Sequence, residues 1–313
     1  DDFWRGRFHL FIFFVPFILQ IVLFFDHMKI YRHICIRGNA HQSLFLEKED
    51  IYHMIDLLAV FAYKYDVEVL AYDFLSNHLH LFVRCTDPSF FIKALRVSYA
   101  NYYNHKYKTE GSVGSRGYVS VLARNEEELI EKLIYVLRNS TRHGTVKHPY
   151  SDPFCSARYY YQKDRGIDYG KDYQLVEKNT NLPYSSEQIP DHYCVNNKGH
   201  IYPGSFLKIK EVEKYLGPYD KAMIKLSNPT DKEKSELESL QYSMKVRYPD
   251  IYISQLILKQ ISPKTIPQLS VTEKIRLARS VRQKLPVSIK QLSRVLNIAE
   301  TSLRRWNLSA PKK

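Results

Sequence analysis

His78 and His80 stand two residues apart in the run HLHLFVR, a spacing that could do chemistry. Side chains on a strand alternate between faces, so both imidazoles point one way while Leu79, Leu81 and Val83 point the other. Two imidazoles side by side are half of a metal site. The pattern is also that of two solvent-facing or hydrogen-bonded histidines, and the spacing alone leaves both readings open. Tyr135 and Asn139 are four residues apart in a helical pattern and so share a face. The Asn139 carbonyl oxygen could complete a divalent-metal site with the imidazoles, with Tyr135 beside it. Taken alone, Tyr135 reads as a core aromatic among Leu129, Leu133 and Leu137. A hydrolase using metal-bound water is a competing chemistry. It would want a carboxylate ligand, and only Asp73 and Asp87 are near, neither at a helpful spacing.

These residues need elements to hold them. Residues 29–37 (KIYRHICIR) alternate and are rich in β-formers, which predicts a strand ended by Gly38-Asn39. Residues 47–65 carry apolar positions at helical spacing behind an acidic start. Residues 67–74 and 78–84 read as two strands joined by a Ser76-Asn77 hairpin. Asp87-Pro88 opens a helix that runs to about Tyr107. Gly111, Gly114 and Gly117 mark a loop around Arg116, and residues 118–124 form a fourth strand. Asn125 caps a helix over 126–139 whose first turn carries three Glu. The order β-α-β-β-α-β-α predicts an α+β fold, a ferredoxin-like antiparallel sheet with two helices on one face.

Residues 161–265 form a connecting region, loop-rich to about Gly204, with helical patterns at 205–215 and 231–246. Three short helical patterns follow at 271–284, 288–296 and 300–306. They have the spacing of an all-α helix-turn-helix region over 266–308, with Thr301, Ser302, Arg304 and Arg305 on its recognition helix.

Charge points to a polyanion. The chain of 313 residues has a formal net charge of +13, and residues 264–313 hold twelve Lys/Arg against two Asp/Glu. That polarisation predicts a salt-dependent partner for the C-terminus, with an anionic membrane surface as the competitor. The 25 Tyr and 16 Phe suit stacking on bases as well as a Tyr-rich core. Cys35, Cys85, Cys155 and Cys194 are far apart and form no C-x-x-C pair, which fits reduced thiols in the cytoplasm. Residues 10–25 are nearly all apolar but fall short of the roughly twenty needed to span a bilayer. The favoured reading of 1–27 is an extension from a mis-assigned start ahead of Met28, with a membrane anchor second.

The run from Phe74 to Val83 (FLSNHLHLFV) resembles the His-hydrophobic-His signature of the Y1 tyrosine transposases, the IS200/IS605-like and REP-associated group of HUH endonucleases. Arg37-Gly38-Asn39 with Leu44-Phe45 resembles that family's first-strand motif. Tyr99-Ala100 with Asn104 resembles the helix after the histidines, and Arg116 through Tyr135, Asn139 and Gly144 resembles the tyrosine helix and its approach. The likeness spans about 28–160 and departs at Ser140, where the family usually has Pro, and at Gly114-Ser115, where an aromatic or amide is usual.

The resemblance implies an HUH catalytic domain over 28–160. It implies Tyr135 as nucleophile, forming a 5′-phosphotyrosine and freeing a 3′-hydroxyl, with Mg²⁺ or Mn²⁺ held by His78, His80 and Asn139. It implies single-stranded or hairpin DNA as partner, no small-molecule substrate, and a homodimer. Candidate DNA contacts are Arg37, Arg96, Lys106, Arg116, Arg124, Arg138 and Arg142. The alternative is a non-catalytic, domesticated DNA-binding regulator of the same fold, against which the retained His78, His80 and Tyr135 argue.

Overall fold

The computed structural model describes residues 29–39, 42–228 and 248–306. The extension over 1–27 and the helix expected at 231–246 lie outside the described residues.

Four strands form one antiparallel sheet: β1 (Ile30–Arg37), β2 (Glu68–Leu75), β3 (His78–Cys85) and β4 (Val119–Leu122). Their spatial order is β2-β3-β1-β4. β1 pairs with β3 so that Arg37 faces His78 and Cys35 faces His80. β2 pairs with β3 so that Asp73 faces His80 from the other side. The alternation of β3 divides the molecule. Leu79, Leu81 and Val83 enter the larger apolar cluster with helices α1 (Lys48–Lys64) and α2 (Ser89–Tyr107). Phe82 on the opposite face joins Leu129, Leu133, Val136 and Leu137 of α3 (Glu126–Leu137). The fold is therefore the mixed, antiparallel arrangement expected, with α1 and α2 on one face and the tyrosine helix across the other.

Helix α3 begins where the sequence sets it. Asn125 accepts from the Glu128 amide at 2.8 Å, and three Glu complement the N-terminal dipole. It ends sooner than expected, at Leu137, and the short helix α4 (Asn139–Arg142) continues beyond a break at Arg138. Ser140 accounts for the break's anchoring: its amide donates to the buried Asp73 carboxylate oxygen at 2.7 Å. A proline at that position has no N–H to give.

Beyond residue 160, a two-stranded ribbon (β5, Gln174–Leu175; β6, Cys194–Val195) precedes helices α5 (Ile209–Leu216) and α6 (Tyr219–Ser227). The expected helix at 205–215 starts later, because 203–205 form a 3₁₀ turn. α6 and α7 (Asp250–Ile261) were not foreseen. Three further helices, α8 (Val271–Lys284), α9 (Ile289–Leu296) and α10 (Glu300–Arg305), follow the predicted pattern closely. Their buried Ile275, Ala278, Leu292, Val295 and Leu303 are continuous with the larger core. Among the described residues no helix is long and apolar enough to cross a membrane.

Candidate active site

Period two along β3 presents His78 and His80 on the face covered by α3, and the ring centroids are 5.1 Å apart. α3 and α4 lower four side chains onto them. The Tyr135 ring lies edge-on to His80 at 5.7 Å between centroids. Asn139 is almost wholly buried, with its Nδ2 3.4 Å from His78 Nε2. The Arg142 guanidinium sits 4.3 Å from the Tyr135 ring centroid, in cation–π range. The His143 ring is 5.2 Å from that of His78. The structure thus brings His78, His80, Tyr135 and Asn139 together.

Sequence reasoning missed His33, on β1. Its ring stacks on His80 at 5.0 Å and meets the Tyr135 ring at 5.3 Å. Strand periodicity alone put His33 on the face of Cys35 and Arg37, but the pairing register was needed to carry it to His80. Cys35 is the second surprise: its Sγ is 3.9 Å from His80 Nε2.

Burial decides the protonation of the cluster. Loss of hydration lowers His33 to about 4, His78 to about 3 and His80 to about 2, with neighbouring imidazoles and cations adding to the shift. All three are neutral at pH 7 and have lone pairs to offer. Burial pushes the Cys35 thiol the other way, up from its usual value, so it keeps its proton.

The residues present fit a divalent cation. Asn139 Oδ1 is buried with no hydrogen-bond partner, which costs free energy unless something else satisfies it. His78 Nδ1 is 2.8 Å from Asn77 Oδ1, which accepts its proton and leaves the Nε2 lone pair toward Asn139. Two imidazole nitrogens and a neutral amide oxygen are a donor set that a borderline or hard cation accepts. No cluster of three or more His, Cys, Asp or Glu suited to a metal occurs among the described residues.

The proposed DNA contacts divide by location. Arg37, Arg116 and Arg124 are exposed, and the Arg37 strand position is directly opposite His78. Arg142 lies over the Tyr135 ring. Three of the candidates are engaged within the protein. Arg138 is buried and its guanidinium donates to the Asn228 carbonyl, so it is withdrawn from any DNA surface. Lys106 lies on the opposite face of the sheet, where its ammonium is 2.6 Å from the fully buried Asp50 carboxylate. Arg96 donates to the carbonyls of Ser115 and Arg116 and so braces the loop after α2. Thr301, Arg304 and Arg305 are exposed on α10, Ser302 is partly so, and Arg304 pairs with Glu300 at 2.5 Å.

An antiparallel sheet carrying twin histidines beneath a tyrosine-bearing helix frames the site. Residues 26–135 match the model of the family described as Transposase IS200 like. Over that segment the chain is similar to the Y1 transposases, as its motifs indicated. A solved structure described as the REP-associated tyrosine transposase bound to a REP hairpin aligns at 15% identity and a TM-score of 0.38. That alignment covers 52% of this chain and 96% of the other. No curated protein matches.

Proposed function

We propose that this chain is a tyrosine transposase that cleaves and rejoins single-stranded DNA through a 5′-phosphotyrosine on Tyr135. The observation that carries the reading is the convergence of the Tyr135 ring on His80 and His33, beside His78 and the unpartnered oxygen of Asn139. His78, His80 and Asn139 would hold Mg²⁺ or Mn²⁺, which when bound supplies Lewis-acid polarisation of the scissile phosphate. Tyr135 Oη then forms a bond to phosphorus as the P–O3′ bond breaks. The phenolic proton is lost, and the departing 3′-oxygen gains one. One phosphodiester replaces another, so a second 3′-hydroxyl reverses the step without ATP. Arg142 stacks on the Tyr135 ring and fixes its approach. Arg37, Arg116 and Arg124 are exposed, with Arg37 opposite His78 in the sheet, and suit the phosphate backbone.

The same proposal takes the helices of 266–308 as a helix-turn-helix that reads DNA with the exposed face of α10. It takes the active form as a homodimer, for which the exposed Val119, Val121 and Leu122 of edge strand β4 are a suitable seam. The four cysteines are free, in keeping with the cytoplasm.

The test is incubation of the protein with labelled single-stranded DNA from its own gene's flanks, with and without Mg²⁺ or Mn²⁺, followed by denaturing electrophoresis. A metal-dependent covalent adduct is expected, absent in Tyr135→Phe, which still binds. Binding without an adduct in the unaltered protein would sink the catalytic reading in favour of the DNA-binding regulator.

A further inference from the structure

His33 and His80 meet nitrogen to nitrogen. The Nε2 of His33 is 2.7 Å from the Nδ1 of His80, a full hydrogen bond between two rings inclined by only 18°. Two ring nitrogens 2.7 Å apart cannot both carry a proton, so a single proton lies between them. Two arrangements satisfy that count. In the first, His80 carries its proton on Nδ1 and donates to His33, which keeps its own proton on Nδ1. His80 Nε2 then carries a lone pair, which the Cys35 thiol 3.9 Å away can meet. In the second, His33 donates from Nε2, and His80 is protonated on Nε2 and cannot ligate.

His78 is arranged in the same way on its own side. Its Nδ1 is engaged by Asn77 Oδ1, an atom that only accepts, so its Nε2 carries the lone pair, 3.4 Å from Asn139 Nδ2. Two adjacent histidines, with ring centroids 5.1 Å apart, are thus each tied at Nδ1. Packing alone does not require this: a stacked histidine pair is satisfied in either tautomer.

We infer that His33 is a positioning residue which holds His80 in the Nδ1–H tautomer, so that Nε2 is ready to ligate, and which sets the spacing between that ligand and Tyr135. The second role follows from its other neighbour, for the His33 ring touches the Tyr135 ring at 5.3 Å between centroids. One side chain thus contacts both the candidate ligand and the candidate nucleophile. Because the tautomer is set in advance, ligation through His80 releases no proton. The inference rests on the metal reading of His78 and His80, and extends it to a strand that supplies no ligand.

The experiment uses the full chain and its His33→Phe and His33→Gln variants. Long-range ¹H–¹⁵N NMR of the metal-free protein reads the His80 tautomer, and Mn²⁺ titration followed by electron paramagnetic resonance reads affinity. The unaltered protein should show His80 protonated on Nδ1. His33→Phe keeps the ring but cannot accept, and should weaken Mn²⁺ about ten- to a hundredfold. His33→Gln offers an acceptor oxygen and should recover most of that loss. A His80 proton found on Nε2 in the unaltered protein overturns the inference, even if the Phe variant fails to fold. So does an affinity in folded His33→Phe equal to that of the unaltered protein. If His78→Ala leaves Mn²⁺ binding unchanged, the metal reading itself fails and takes this inference with it.

Discussion

Asp50 and Lys106 show how a charge can be misread without its partner. Asp50 is completely buried and accepts from Lys106, from the Tyr107 and Tyr102 hydroxyls, and from the Leu46 and Glu47 amides. Lys106 lies 56 residues downstream of it, and nothing local to 106 signals the pairing. The same limit hid His33, whose meaning comes from strand register. His78 and His80 were legible from period two on a strand, and Tyr135 and Asn139 from their spacing of four, although the helix breaks at Arg138 between them. Removing one partner of a buried pair leaves the other charge uncompensated, which costs about 3–5 kcal/mol. Asp50→Ala should therefore lose stability on that order in urea denaturation. Lys106→Ala, measured by fluorescence anisotropy, should leave single-stranded DNA affinity unchanged. A several-fold loss of binding in a folded Lys106→Ala protein would restore Lys106 as a contact.

At the scale of elements, the strands and helices that frame the site were largely readable, because hydrophobic period and caps agree there. Gly38 is an instance where the reading had a physical basis not visible in advance. A Cβ on Gly38 would meet the Gln42 carbonyl oxygen at 1.9 Å, so only glycine lets the loop after β1 fold back this closely on the end of the strand. Helix α1 offers a pH-dependent case. His53 is buried, stacks on Tyr102 at 4.0 Å, and has no partner for Nε2. Burial, then the nearby His200 and Lys106, lowers it to about 4. The unfolded chain protonates this group near its ordinary 6.5, so between those values the unfolded state binds more protons. Stability contributed by neutral His53 is full above pH 6.5 and is lost as pH falls toward 4, on the order of 3 kcal/mol. His53→Phe should flatten the stability profile over that interval in chemical denaturation at stepped pH. A slope equal to that of the unaltered protein would assign the acid sensitivity elsewhere.

Taken as a whole, the molecule links its two candidate DNA surfaces at Asp250 as well as through the shared core. Asp250, at the start of α7, accepts from Ser76 of the histidine hairpin and from Gln291 and Arg294 of α9. The C-terminal helices are therefore packed against the end of the sheet where β3 begins, a relation that no pattern within 266–308 could announce. The outcome for charge is that much of the basic excess, ten Lys/Arg against two Asp/Glu in 264–306, is carried by a segment fastened beside the site. Arg304 and Arg305 are exposed at the end of α10, and the Arg304 pairing with Glu300 is a surface ion pair of little worth that a phosphate could replace. Each phosphate contact with a single strand contributes roughly 0.7 to the slope of log affinity against log salt, and with duplex roughly 0.9. Replacing both arginines by alanine should lower that slope by roughly 1.4 on single-stranded DNA and roughly 1.8 on a hairpin stem. The two values separate a recognition helix that grips duplex from one that merely adds charge near the cleavage site. An unchanged slope on both substrates would remove α10 from the interface and leave the sheet face alone to hold the DNA.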